Sequence, residues 1–236
     1  MDGVAAARAH RERNGAGILA RFAEMLAIPN TADDPDGVHR TATWIRDALN
    51  ERGARVALAA LPGAAPVVTG RLDGSPGGPV IGIYAHYDGQ PVDPSRWSSP
   101  PFRPMLRDGK GGAMLPFPSA GEPIDPEWRI YARATADDRA TIAALIEAIG
   151  ALDGGHEATL LFLLEGEEEQ GSPHLGEYLG LLGDRLAADV WLVCDGPVHQ
   201  SGRPQISLGV RGSPSWRSRC SVLPVTCTAA TTAVGP

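Results

Sequence analysis

The chain has 236 residues, with 21 Lys+Arg against 28 Asp+Glu, a formal net charge of -7 and 43% hydrophobic residues. That balance fits a folded globular protein and excludes the disordered and fibrous classes. The acidic balance argues against a nucleic-acid partner or an anionic membrane surface, and no apolar run approaches the length of a membrane span.

The first residues carry Arg8, His10, Arg11, Glu12 and Arg13 with no apolar segment behind them, so no secretory signal is expected. Three cysteines (Cys194, Cys220 and Cys227) are too few and too irregularly spaced for a disulfide framework or a cysteine-based zinc site. A reducing, cytoplasmic compartment is the simplest expectation. Ile18, Leu19, Phe22, Met25 and Leu26 recur at helical spacing and predict a helix from about Ala5 to Ala27, closed by Ile28-Pro29. A polar turn over Asp33–Gly37 leads to a second helix reaching Arg52, with Gly53 as its C-terminal cap. The apolar runs Arg55–Leu61, Pro66–Leu72 and Pro79–Ala85 read as strands separated by Gly and Pro. From Gln90 to Glu127 the chain is rich in proline and glycine and reads as one long loop. A short strand at Trp128–Ala132 and an amphipathic helix from Asp138 to Leu152 follow. Next come a buried strand at Thr159–Leu164, a helix at Ser172–Leu182, and strands at Asp189–Cys194 and Gln205–Val210. Alternating helices and buried strands predict an α/β fold, a mostly parallel sheet flanked by helices.

Three of these strands run into acidic or imidazole groups: His86-Tyr87-Asp88, the run Glu165-Gly166-Glu167-Glu168-Glu169, and Asp195. A further pair, Asp137-Asp138, stands before a helix. In open parallel sheets the carboxyl ends of the strands line the ligand crevice. Each group has an ordinary reading by itself. His86 fits a satisfied strand-end histidine, and Asp137-Asp138 fits a helix cap. The acidic run Glu167–Glu169 fits a solvated face, and Asp195-Gly196-Pro197 fits a turn. Their joint placement argues otherwise. Converging carboxylates repel unless a cation neutralises them. Oxygen ligands with one imidazole suit a divalent metal, zinc first, with two metals if a carboxylate is shared; manganese or cobalt also suits such a donor set. A metal-assisted hydrolase with a spare Glu as base follows from the pattern.

Four segments carry a resemblance. They are His86-Tyr87-Asp88-Gly89-Gln90-Pro91-Val92-Asp93 with Trp97 and Ser99-Pro100-Pro101-Phe102, then Tyr131 to Arg139, then Glu165 to Ser172, then Cys194-Asp195-Gly196-Pro197. Together they resemble the M20 family of dinuclear-zinc metallopeptidases, in its carnosine-dipeptidase-like branch. The resemblance implies a zinc-exopeptidase-like sandwich that cleaves the amide bond of dipeptides or similar small peptides; an N-acyl-amino-acid deacylase or a non-catalytic remnant is the alternative. It implies two zinc ions. His86 and Asp195 ligate the first, Glu169 the second, and Asp137 bridges them through a residue whose peptide to Asp138 is cis. It makes Glu168 the general base and Asp88 the group that orients His86. The family often has glycine where this chain has Ala132, Ala134 and Ala140, and alanine lacks glycine's backbone freedom.

The resemblance, as read from the sequence, stops after Gly212. Residues 1–212 are expected to form the N-terminal part of the catalytic domain, and 213–236 an aberrant tail without acidic residues. The lid, the homodimer surface and the last histidine of the second zinc are then absent, so the second site is incomplete and activity impaired. Codons can be chosen for the tail so that a neighbouring frame encodes a lid-like opening, which suggests a frame shift near Gly212. Resequencing tests it: an intact frame contradicts the idea.

Overall fold

The computed structural model describes residues 3–152 and 154–196, together with Ser201 and Ile206. The chain divides into two units, Met1–Gly196 and Pro197–Pro236, and the elements below belong to the first. The strand expected at Gln205–Val210, the break at Gly212 and the tail lie outside the described residues.

Helix α1 spans Gly3–Leu26 and α2 spans Pro35–Glu51. Asp34 caps α2 by accepting the Gly37 N–H, and proline occupies the first helical position, where its missing N–H costs nothing. Strands β1 (Arg55–Ala59), β2 (Val67–Leu72) and β3 (Val80–His86) follow. The expected long loop holds two short strands, β4 (Met105–Arg107) and β5 (Met114–Leu115), which join β6 (Arg129–Tyr131) in a separate antiparallel sheet of order β5-β4-β6. Strands of two or three residues leave no readable alternation, which is why the sequence shows only a loop there. Helix α3 covers Ala140–Leu152, β7 covers Thr159–Glu165, α4 covers Leu175–Leu182 and β8 covers Val190–Val193.

The main sheet has the order β1-β2-β7-β3-β8. β3 pairs in parallel with β7 and β8, whereas β2 runs antiparallel to both β1 and β7. Four strands therefore point one way and β2 alone is reversed. The expectation of a helix-flanked, mostly parallel sheet holds for strand direction, while half of the pairings are antiparallel. The short link from Ala59 to Val67 is the cause, because a connection of that length joins antiparallel neighbours.

Alternation along the central strands splits the core. Ile83, Ala85, Phe162 and Leu164 face a large cluster with Met25, Ile45, Leu49, Ile142, Ile146 and Ile149 from α1, α2 and α3. Leu163 and Tyr84 face a smaller cluster with Tyr178 and Leu182 of α4. Strands sandwiched in this way read as continuous apolar runs. The β3–β7 register sets His86 opposite Glu165, so the imidazole and the acidic run leave the sheet side by side.

A half-buried charge cluster ties α1 to α3. Glu147 accepts from Arg21 Nε at 2.9 Å, from Arg52 Nη2 at 3.3 Å and pairs with His10 Nε2 at 3.0 Å. Burial raises the Glu147 carboxyl, but the hydrogen bonds from His10 and Arg21 and the charges of Arg21 and Arg52 overcome it and hold the group below the usual glutamate range. A depressed carboxyl stabilises the fold above its unfolded pKa of about 4.3 and loses that contribution as pH falls through the folded value. Urea unfolding of Glu147→Gln at pH 7 should show a loss of about 1–3 kcal/mol. The gap to the wild type should close as pH drops below about 4.

Candidate metal centre

The first acidic group is placed by β3, which ends at a fully buried His86. His86 Nδ1 lies 3.2 Å from Asp88 Oδ1, and Nε2 lies 3.1 Å from Asp137 Oδ1 and 3.9 Å from Glu168 Oε2. A carboxylate accepts but does not donate, so a carboxylate at each ring nitrogen calls for a proton on each. Burial opposes that charge; the hydrogen bond to Asp88 and the charges of Asp88, Asp138 and Glu168 outweigh it and raise the imidazole to about 9. In the absence of a metal, the imidazolium is the cation about which the acids gather.

The buried Asp88 does more than hold the ring. Its Oδ1 accepts the Glu168 N–H at 3.2 Å and its Oδ2 the Glu169 N–H at 3.0 Å, so the same carboxylate aims His86 and the acidic turn. Glu165 and Glu167, within the same acidic run, are buried rather than solvated. Glu165 accepts from Tyr84 and from Ser172 Oγ at 2.8 Å. Glu167 accepts from Ala65 N at 2.9 Å and pairs with His174 Nδ1 at 2.8 Å. The run therefore divides into anchors, 165 and 167, followed by presented groups, 168 and 169.

Among the described residues, His86, Glu168 and Asp195 form a group of three donors, one atom from each lying within 4.8 Å of the others. Asp137 reaches the same imidazole from a largely exposed position. Glu169 turns to the other side: Gln90 Nε2 donates to its Oε2, and Arg133 Nη2 stands 3.9 Å from its Oε1. The structure thus brings His86, Asp88, Asp137, Glu168 and Asp195 around one centre and sets Glu169 beside it, engaged with Gln90 and Arg133.

The Asp137–Asp138 peptide is cis. Asp138 is buried, accepts from Thr141 and is raised to about 6, by burial first and by the charge of Asp195, against Thr141 and His86. Burial likewise raises Glu168, opposed by His86 and reinforced by Asp195, Glu169 and Asp88. Two carboxylate oxygens, Asp138 Oδ2 and Glu169 Oε1, are buried without a hydrogen-bond partner. Unpaired buried acceptors are costly, and acids raised by burial and by neighbouring acids are short of positive charge. One imidazole among carboxylate oxygens is a donor set that fits a divalent cation. Ala134 takes the left-handed conformation at φ 58, so alanine meets a glycine-like demand of the turn at a cost of about 1–2 kcal/mol.

Residues 82–233 match the family described as peptidase family M20/M25/M40. The chain belongs to this peptidase family. The matched residues run past Gly212, where the resemblance read from the sequence had ended. Human Beta-Ala-His dipeptidase is 27% identical over 212 residues, which are 80% of this chain and 38% of that protein. Succinyl-diaminopimelate desuccinylase of Burkholderia lata is 31% identical over 117 residues, 46% of this chain and 26% of that one. Among solved structures, an M20 family metallo-carboxypeptidase from Sulfolobus solfataricus superposes with a TM-score of 0.65 at 29% identity, covering 80% of this chain and 39% of that chain. Human carnosine dipeptidase 1 shares the fold with a TM-score of 0.63 at 24% identity, over 78% of this chain and 39% of that chain. The chain thus spans well under half the length of these relatives.

Within the family frame, the sequence reading gave no role to Gln90, Arg133, Asp138, Glu165 or Glu167. Only the acidic spacing of Glu165 and Glu167 hinted at them; Gln90 and Arg133 lie 43 residues apart, and the Nε–carbonyl bond between them, 2.8 Å long, leaves no sequence signal. Asp88 holds both the ring and the turn, so Asp88→Asn should weaken zinc binding about 10–100-fold with the helical content unchanged, as read by calorimetry and circular dichroism.

Proposed function

We propose that this chain carries the metal-binding part of a zinc hydrolase that cleaves the amide bond of dipeptides or similar small peptides. His86, Asp137 and Asp195 would hold a first zinc, with Asp137 and Glu169 contributing to a second. Among the described residues the second position has those two carboxylates alone, so it would bind more weakly. What supports the reading most is the convergence of one buried imidazole and several acids at the carboxyl ends of β3, β7 and β8, in a chain of this family.

Bound there, zinc supplies a Lewis acid for the amide carbonyl and a lowered pKa for water. The protein residues have separate tasks. Asp88 holds the Nδ1 proton of His86 and leaves Nε2 to face the centre. Glu168, raised by burial and by its acidic neighbours, takes the proton of the attacking water and returns it to the leaving amine. Manganese and cobalt fit the same donor set. The dipeptidase relative covers more of the chain than the desuccinylase does, which favours a dipeptide over an N-acyl amino acid; both are amides.

Glu168 stands among the donor atoms in the structure, so its role needs a direct test. The zinc-loaded chain and its Glu168→Gln variant are assayed with β-alanyl-histidine and analysed for metal. A general base predicts unchanged zinc content with turnover reduced about 10²–10⁴-fold. Loss of zinc in the variant would make Glu168 a ligand and overturn the assignment. No zinc uptake and no hydrolysis by the parent chain would overturn the function.

A further inference from the structure

Glu169 is the acid that stands apart from the His86 grouping, and the Arg133 guanidinium stands against it. Its side chain is 9% exposed and that of Arg133 is 22% exposed, so this is not a freely solvated surface pair. The guanidinium is also fixed in place. Arg133 Nε donates to the Gln90 carbonyl at 2.8 Å, and the Arg133 N–H donates to the Pro101 carbonyl at 2.7 Å. The Gln90 side chain in turn donates to Glu169 Oε2. This leaves Glu169 Oε1 buried, without a hydrogen bond, and 3.9 Å from Arg133 Nη2. One oxygen is held by an amide while the other faces a charge from just beyond bonding distance.

We propose that Arg133 is a built-in counter-cation for Glu169, which a divalent metal must displace or outcompete, so that the metal positions load unequally. The inference rests on the metal-centre reading above and assigns to Arg133 a role in setting the order of filling. The chemistry is electrostatic. A fixed positive charge about 4 Å from a ligand oxygen cancels part of the attraction that oxygen offers to a cation, and partial burial keeps water from screening it away. Among the described residues, the groups paired with His86 are carboxylates and no guanidinium is among them. Gln90 holds Oε2, so Oε1 is the oxygen left facing Arg133.

The test is a cobalt titration of the metal-free full chain, followed by calorimetry and by the visible absorption of the bound ion. The variants are Arg133→Gln, Arg133→Lys, Glu169→Gln and the double variant. Arg133→Gln should tighten the weaker cobalt equivalent about tenfold or more and leave the first unchanged. Where the wild type shows a single equivalent, Arg133→Gln should gain a second. Arg133→Lys keeps the charge and should stay within about threefold of the wild type. In the Glu169→Gln background the Arg133→Gln substitution should have no further effect, because the charge it relieves is gone. An unaltered first equivalent reports that each variant is folded. A second equivalent no tighter in Arg133→Gln than in the wild type, whether measured or absent in both, overturns the proposal while the first equivalent leaves the metal centre standing. Failure of the wild type to bind any cobalt overturns both.

Discussion

Mutual repulsion among carboxylates around a buried imidazole governs this molecule. Asp88, Asp137, Glu168 and Asp195 approach His86 closely, and Asp138 acts on it from nearby. A fold that gathers so much negative charge must supply positive charge to offset it. In the metal-free chain the imidazole does so by holding its proton to about 9, while burial first and Asp195 after it keep Asp138 and Glu168 above the ordinary range against the pull of His86. A divalent ion would replace those protons, and binding it would release them.

The scaffold serves this crowding. β3 and β7 send side chains into the clusters on both faces of the sheet, and their register delivers His86 and Glu165 together. Beyond the sheet the chain is pinned residue by residue. Asp88 fastens the acidic turn, while Glu165 and Glu167 bind it to Tyr84, Ser172, Ala65 and His174. Behind the centre the fully buried Arg139 donates to the Met25 and Tyr87 carbonyls and, at 2.8 Å, to Thr41. Burial lowers its guanidinium to about 9, a measure of how completely it is withdrawn from water. It links the ends of α1 and β3 to α2, so the loop carrying Asp137 is braced from the apolar side.

The sequence made legible those features that depend on continuous patterns. The apolar runs at 80–85 and 159–164 identify the central strands because burial on both faces leaves no polar position. The helices showed in stripes such as Ile142, Ile146 and Ile149. The acidic groups at the strand ends were visible because the sheet geometry turns chain position into spatial convergence. Other features depend on contacts without a period. The two- and three-residue strands at 105–107 and 114–115 fall below any alternation, and the reversal of β2 follows from its neighbours rather than from its own residues. The division of the acidic run into anchors and presented groups, and the turning of Glu169 to Arg133, require the fold itself.

The central claim is that the centre is built from one imidazole and carboxylate oxygens. Zinc-edge X-ray absorption of the loaded chain tests it most directly. The account predicts only nitrogen and oxygen neighbours at about 2.0–2.2 Å, with the scattering signature of a single imidazole. A sulfur neighbour at about 2.3 Å would bring in a cysteine such as Cys194, beside Asp195, and would contradict the account, as would two or more imidazoles.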